Sequence, residues 1–273
     1  MMTDATDNQI AFAVPIAPDI TVTRRELTLS DGYRTSLIEF ACEGSSSRLP
    51  VLLAHGIQSH PGWFGSSAQA MARAGHRVFM LTRRGSGDNT VRRGDGRSIA
   101  RLNNDLTEAI GTVCSAAGTE QCHAVGVSWG GKWLTSYCCS RTPRPRIRSL
   151  VLSTPGIVPL VGVSPILKVA IGVSFFTWPW RRFDIPLNDE TLFTDNEAMR
   201  EYLRTDAFRL HEATARFYVA NAMMDRAIRR SPAGRLTVPT TLLLARRDKI
   251  INSERTEAVI RRLTNDAAHI ETF

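Results

Sequence analysis

Two chemical patterns overlap between Gly126 and Trp133, in the stretch Gly-Val-Ser-Trp-Gly-Gly-Lys-Trp. Gly126-x-Ser128-x-Gly130 is typical of a serine on a tight strand-to-helix turn, where the hydroxyl attacks a carbonyl carbon. The same residues up to Lys132 match G-x-x-x-x-G-K, the start of a loop that binds nucleotide phosphates. Such a loop also needs Ser or Thr after the lysine as a Mg²⁺ ligand, and Trp133 has no oxygen. The sequence therefore favours Ser128 as a nucleophile.

The two glycines that flank Ser128 fit this turn for a steric reason. Side chains two residues before and after the serine would collide on so tight a turn, which makes Gly126 and Gly130 necessary. A simpler interpretation is that both glycines only allow a helix to pack closely on a sheet, with Ser128 uninvolved. The strand predicted before Ser128 and the helix predicted after it favour the nucleophile turn.

An oxyanion hole needs two N–H groups that point at the oxygen of a tetrahedral intermediate. The residue after the nucleophile, Trp129, is expected to supply one of them. Ile57 is expected to supply the other, since the buried strand at 51–54 ends in His55-Gly56 and the glycine lets the chain turn. For the His55 side chain, an ordinary hydrogen-bonding role in the loop is the preferred interpretation.

An acid that orients a catalytic histidine is expected just past a later buried strand. Asp248 follows the apolar strand at 240–245 and is predicted to have that role. The alternative is that Asp248 is a turn residue or a surface partner of Arg246 or Arg247.

His269 is the one histidine after Asp248, so the order serine, acid, histidine nominates it as the base. However, it starts the predicted strand 268–273, whereas active-site residues gather at the carboxyl ends of parallel strands. At about 3.3 Å per residue, it would lie on the order of 13 Å below that edge. The favoured hypothesis is that the chain is truncated and the base follows Phe273. A catalytic His269 is the alternative.

The elements that position these residues follow from alternating strand and helix patterns, which predict a mostly parallel sheet with helices on both faces. An antiparallel pair of strands around Ser30-Asp31-Gly32 precedes them, and a loop is expected at Gly44–Ser47. Further strands are predicted at 51–54, 77–81, 123–127, 150–153, 240–245 and 268–273, with helices at 66–74, 99–116, 129–140 and 253–263.

The alternation stops between the strands at 150–153 and 240–245. An apolar stretch and then a helical region at 196–228 fill this gap. We therefore predict a core formed by residues 1–154 and 236–273, and a helical cap at 155–235 inserted between late strands.

The apolar stretch at 157–180 tests whether the chain crosses a membrane. Three prolines and Lys168 interrupt it, and the unbroken part at 169–176 is far shorter than the roughly 20 residues of a spanning helix. It is interpreted as a buried or lid-forming segment. The net charge of +8 leaves open a weak attraction to anionic membrane surfaces.

Charge and cysteine content argue against other classes of protein. Nucleic-acid binding is disfavoured because the basic residues are scattered as arginine pairs, interpreted as solvated surface, instead of forming one stripe. Five cysteines without a secretory signal predict reduced thiols and a cytoplasmic location. No zinc-binding spacing occurs, and no metal or organic cofactor is expected. The pairs include Arg83-Arg84, Arg229-Arg230 and Arg261-Arg262.

Together these motifs resemble the α/β-hydrolases, and specifically their monoglyceride lipase and lysophospholipase branch, which is similar to the serine aminopeptidase S33 group. Trp129 stands where many of these lipases have Met, and Lys132 is a second departure. The motifs that carry the resemblance are His55-Gly56 with His60, Arg84-Gly-Ser-Gly87, Gly126–Gly131, Tyr202–Asp206 with Ala213–Arg216, and Val238-Pro239 ahead of Asp248.

The resemblance implies a serine hydrolase that cleaves carboxylic esters of apolar acyl groups, such as monoacylglycerols or lysophospholipids, through an acyl-enzyme on Ser128. Aromatic residues of the expected cap would suit a lipid chain. The alternatives are a non-catalytic protein of this fold that binds a ligand or partner, and an inactive fragment without the catalytic histidine. Nucleotide binding is the third possibility.

Overall fold

The computed structural model of the protein describes residues 10–43, 48–140 and 146–273, and the loop expected at Gly44–Ser47 lies outside them. Within the described residues are ten strands, seven α-helices, and two short 3-10 helices at Pro61–Phe64 and Glu190–Leu192. The strands are β1 (Ile20–Thr28), β2 (Arg34–Cys42), β3 (Val51–Ala54), β4 (Val78–Leu81), β5 (Cys122–Val127), β6 (Ile147–Ser153), β7 (Arg182–Asp184), β8 (Glu212–Thr214), β9 (Thr240–Leu244) and β10 (His269–Thr272). The α-helices are α1 (Gly65–Arg73), α2 (Ile99–Ala117), α3 (Trp129–Cys138), α4 (Pro165–Thr177), α5 (Glu197–Thr205), α6 (Ala215–Arg230) and α7 (Ser253–Thr264).

Eight strands form one sheet in the order β1-β2-β4-β3-β5-β6-β9-β10. The pairs β1–β2 and β2–β4 are antiparallel, and every other neighbouring pair is parallel. The predicted mostly parallel sheet is therefore confirmed. The strand order reverses at β3, which lies between β4 and β5. Ligands of open α/β sheets bind beyond the carboxyl ends of the strands at such a point.

Helices cover both faces of the sheet, so alternate side chains of β3 enter two different apolar clusters. Leu52 and Ala54 belong to a large cluster that includes side chains of α2, α3 and α6. Val51 and Leu53 belong to a smaller cluster with Ala68 of α1. Burial on both faces explains why β3 and β4 are continuous apolar runs.

The segment between β6 and β9 leaves the main sheet and contains α4, α5, α6 and a small antiparallel sheet of β7 and β8. α6 packs on α3, and its Phe217, Met224 and Ile228 are buried in the large cluster. α4 packs on α6 and buries only Ile171 and Ser174. Among the described helices, none has the length and apolar character needed to cross a membrane. The boundaries predicted for a cap stay a prediction.

The helical region predicted at 196–228 consists of two helices, α5 and α6, with the short strand β8 between them. α5 ends next to Asp206, whose carboxylate is buried and hydrogen-bonded to residues of the core. Trp63 Nε1 donates to it at 2.7 Å, His60 Nε2 lies 2.8 Å from it, and the backbone N–H of Phe208 donates at 2.9 Å. These bonds turn the chain away from the helix axis.

α3 begins directly after β5 and lies against the backbone of β3. A Cβ on Gly130 would lie 2.1 Å from the carbonyl oxygen of Ala54, and one on Gly126 would lie 2.6 Å from Cα of Gly131. Both obstacles are backbone atoms that have no rotamer to change. The structure therefore requires glycine at both positions, as the sequence predicted on steric grounds.

We expect Gly130→Ala to destabilise the protein by about 3 kcal/mol or more, because the methyl group overlaps backbone atoms of β3. Gly111→Ala is the matched control, since Gly111 lies within α2 and a Cβ there meets nothing within 4 Å. That variant should gain about 0.5–1 kcal/mol from helix propensity. Urea unfolding measures both. Equal midpoints for the two variants would contradict the close approach of α3 and β3.

Candidate active site

Ser128 occupies the turn between β5 and α3 with φ 51° and ψ −118°. A positive φ is strained for a residue with a side chain and persists only where the surroundings enforce it. Three backbone bonds do so here. Ser128 N donates to Ser153 O at 3.0 Å, and Ser128 O accepts from Gly156 N at 2.8 Å and from Lys132 N at 3.2 Å. The expected strand-to-helix turn with unusual torsions is confirmed.

Two cavities meet at Ser128. One has a volume of about 370 Å³ and is also lined by Ile57 and Asp248. The other, of about 480 Å³, is lined by Ile57, Trp129 and side chains of α4 and α6. Ser128 and Ile57 line both, so a group bound at the serine could extend in either direction.

The backbone of Ile57 and Trp129 lies beside the serine, as an oxyanion hole would require. A Cβ on Gly56 would be 3.5 Å from Ser128 Cβ, so the loop after β3 touches the nucleophile turn. Trp129 is the first residue of α3, and its N–H therefore has no acceptor within the helix. The two groups could hold an oxyanion formed at Ser128.

The buried side chain of Arg83 contacts both Ile57 and Trp129. Its guanidinium donates to the carbonyl of Ile57 at 3.0 Å and lies 4.9 Å from the ring centres of both Trp129 and Phe217. It is 1% exposed, and burial lowers its pKa to about 10. The interpretation of the Arg83-Arg84 pair as solvated surface is therefore wrong. Its position two residues after the end of the buried strand β4 is the sequence signal that could have identified Arg83 as buried.

Arg84 is buried for a different reason, because it binds two carboxylates. It donates to Asp105 at 2.7 and 3.0 Å and to Asp31 at 2.9 Å. These bonds hold the loop after β4 on α2 and on the turn between β1 and β2.

Asp248 lies in the loop after β9 and lines the smaller cavity together with Ser128. Its Oδ1 accepts two backbone hydrogen bonds at 2.8 Å, from Ile250 and Ile251. These bonds stabilise the loop in the manner of a turn residue and also fix the direction of the carboxylate. Within the described residues it forms no ion pair with Arg246 or Arg247.

His269 does not join this group. Across the sheet it is in register with Thr241, Val151 and Val125, which lies three residues before Ser128. Its backbone is therefore about 10 Å below Ser128 along the strands and about 14 Å to the side. Its side chain is 67% exposed, with Nε2 2.8 Å from Glu271 Oε1.

None of the other histidines lines either cavity in the described part of the chain. His55 is buried, which places its pKa well below the usual value, and Arg83 adds to this effect. Its Nε2 accepts from Arg83 N at 3.1 Å, so Nδ1 donates to Gly56 O at 2.8 Å. This matches the loop role expected for His55. The structure thus brings together Ser128, Ile57, Trp129 and Asp248 without a histidine.

Comparison with known proteins places these features in a family. The model of the serine aminopeptidase S33 family matches residues 45–273. A proline iminopeptidase from Lactobacillus delbrueckii subsp. lactis is 29% identical over 111 residues, 40% of this chain. The match spans only 37% of that relative's length.

Solved structures resemble the whole fold. A soluble variant of monoglyceride lipase from Saccharomyces cerevisiae, in complex with a substrate analog, has a TM-score of 0.79 at 17% identity, covering 96% of this chain and 89% of its own. A monoacylglycerol lipase from Paleococcus ferrophilus has a TM-score of 0.71 at 20% identity, covering 93% and 88%. These likenesses show an α/β-hydrolase fold. With the family model spanning most of its length, the chain belongs to the serine aminopeptidase S33 family of α/β-hydrolases.

Proposed function

We propose that the protein hydrolyses carboxylic esters of apolar acyl groups through an acyl-enzyme on Ser128. The observation that carries this proposal is the strained turn of Ser128 at the junction of two cavities, beside Ile57, Trp129 and Asp248. Monoacylglycerols and lysophospholipids are the proposed substrates. The larger cavity suits an acyl chain because most of its walls are apolar, including Val161, Val163, Ile171, Leu187 and Val219.

In the proposed reaction, Ser128 Oγ attacks the ester carbonyl carbon while its proton passes to a base. The N–H groups of Ile57 and Trp129 hold the oxyanion. The carbon–oxygen bond to the alcohol then breaks, the base protonates the leaving alcohol, and water releases the acid from Ser128. Asp248 would orient the base. No histidine among the described residues lines this cavity. The proposed reaction therefore requires that a base occupy the space between Ser128 and Asp248.

The absence of a histidine from both cavities among the described residues favours a second candidate function, binding of an ester or lipid without turnover. A serine without a base is a weak nucleophile because its hydroxyl remains protonated at neutral pH. The two candidates differ in whether Ser128 reacts once a base is supplied.

We expect the 273-residue chain to react slowly with a fluorophosphonate, and added imidazole to raise the labelling rate of Ser128 by about tenfold or more. Imidazole is the ring of histidine and fits the 370 Å³ cavity. Mass spectrometry after timed reaction measures the label. Ser128→Ala gives the background, and Asp248→Asn should weaken the rescue because the added ring is no longer oriented.

His269→Ala is the matched control and should leave both rates unchanged, since its side chain is exposed away from the cavities. Fast labelling that this variant abolishes would make His269 the base and overturn the proposed geometry. Absence of Ser128 labelling at every imidazole concentration would favour the binding function.

We further propose that α4 places the protein on an anionic lipid surface. Four side chains on one side of this helix are large, apolar and more than half exposed, and Trp178 and Trp180 follow at 61% and 52% exposure. Arg181 and Arg182 come next, are exposed, and form no ion pair within the described residues. Aromatic side chains beside arginines suit the boundary between acyl chains and anionic headgroups. The four helix residues are Ile166, Val169, Val173 and Phe176.

This surface is continuous with the larger cavity, because Lys168, Ile171 and Gly172 of the same helix line it. A membrane bound to α4 would therefore lie next to the cavity that leads to Ser128. The segment was expected to be buried or to form a lid; its outer face is exposed, so it is not fully buried, and the lid stays a prediction.

We expect the protein to sediment with vesicles that contain anionic phospholipid and to bind less at high salt. Phe176→Glu should reduce binding at least tenfold, since it adds a negative charge to the apolar face. Val91→Glu is the matched control because Val91 is 66% exposed outside this segment. Equal binding by both variants would contradict the role of α4.

A further inference from the structure

Lys132 is a buried charge in the wall of the larger cavity, one helical turn after Ser128. Its ammonium group lies 2.8 Å from Asp225 Oδ1 and donates to Asn221 Oδ1 at 3.1 Å. The residue is 4% exposed, and all three side chains line the cavity. In the sequence Lys132 completed a phosphate-loop pattern, but in the structure it pairs with the carboxylate of Asp225 on α6.

A buried ion pair such as Lys132–Asp225 is weak evidence that the charge serves stability. Burial lowers the pKa of Lys132, and the nearby Asp225 carboxylate opposes that shift only in part. Exchange of a buried ion pair for apolar residues of similar volume is often neutral or stabilising. A charged pair in a mostly apolar cavity therefore points to a role in binding.

The group retains hydrogen-bonding capacity that no described residue uses. An ammonium has three N–H donors, and Lys132 donates one of them to Asn221 while its charge pairs with the Asp225 carboxylate. Asn221 Oδ1 already accepts from Lys132 and from Trp129 Nε1 at 3.0 Å, so its amide N–H₂ is left for another acceptor. Two kinds of donor thus face a cavity whose other walls are largely apolar.

We propose that the larger cavity selects acyl groups that carry an oxo or hydroxyl substituent, bound by Lys132 and Asn221. The inference rests on the proposed function, since it treats this cavity as the acyl site of Ser128. One helical turn is about 5.4 Å, so the substituent lies a few carbons along the chain from the reacting carbonyl. An unsubstituted acyl chain would leave the buried donors without acceptors, which costs binding energy.

Binding of unreactive amides tests the inference without requiring turnover. We expect N-methyl-5-oxohexanamide to bind the protein about tenfold more tightly than N-methylhexanamide, as one hydrogen bond to a charged donor predicts. NMR titration measures both dissociation constants. Lys132→Met with Asp225→Leu should remove most of the preference, because only the neutral Asn221 donor remains, and replacing both charges avoids leaving a lone buried carboxylate.

Arg226→Met is the matched control, because Arg226 neighbours Asp225 on α6 but is exposed and does not line the cavity. It should keep the preference. Thermal unfolding of the double variant establishes that it is folded. Equal binding of the two amides by the unaltered protein would overturn the inference.

The p-nitrophenyl esters of the same two acids, assayed with imidazole, separate this inference from the proposed function. A preference in binding with no hydrolysis of either ester would contradict catalysis and retain the cavity assignment. Hydrolysis of both esters at equal rates, with equal amide binding, would retain catalysis and contradict the selection of oxo groups.

Discussion

The contact between α3 and β3 determines where Ser128 and the backbone groups beside it lie. Gly130 lets the helix approach so closely that any side chain there would overlap the Ala54 carbonyl. The same contact sets Gly56 against Ser128, whose positive φ is held by backbone hydrogen bonds to Ser153, Gly156 and Lys132. The serine and the backbone of Ile57 and Trp129 are therefore aligned by the packing of a helix on a strand, and the Arg83 side chain adds a hydrogen bond to the Ile57 carbonyl.

Three buried cationic side chains surround this contact. Arg83 is held by aromatic rings and backbone carbonyls, Arg84 by two aspartates, and Lys132 by an aspartate and an asparagine. His55, in contrast, is kept neutral by burial and by the nearby Arg83. Of the three cations, Arg83 has no carboxylate partner in the described residues, so no adjacent acid neutralises its charge.

Local steric and periodic signals made part of this architecture predictable. The glycines around Ser128 and the short apolar strands each depend on neighbours in sequence, and the structure places them as expected, whereas the role of Asp248 stays a prediction. The register that places His269 below the active edge also followed from its position at the start of a strand.

Features that depend on distant partners could not be predicted in this way. The sequence shows Arg83 and Arg84 as a charged pair, and only the fold brings aromatic rings and aspartates around them. The break between α5 and α6 depends on Asp206 meeting His60 and Trp63, more than 140 residues earlier. Lys132 similarly acquires its partners from α6, which is far away in the chain.

α4 and α6 are buried to different extents, so within the segment between β6 and β9 the sequence of α6 is constrained by packing and that of α4 is largely free to change. α6 fills the same apolar cluster as the sheet, so removing it would expose the interior of the whole molecule. α4 buries two side chains and otherwise rests on α6. Evolution or protein engineering could therefore replace the sequence of α4, and with it the entrance to the cavity, while the fold and the serine turn stay intact.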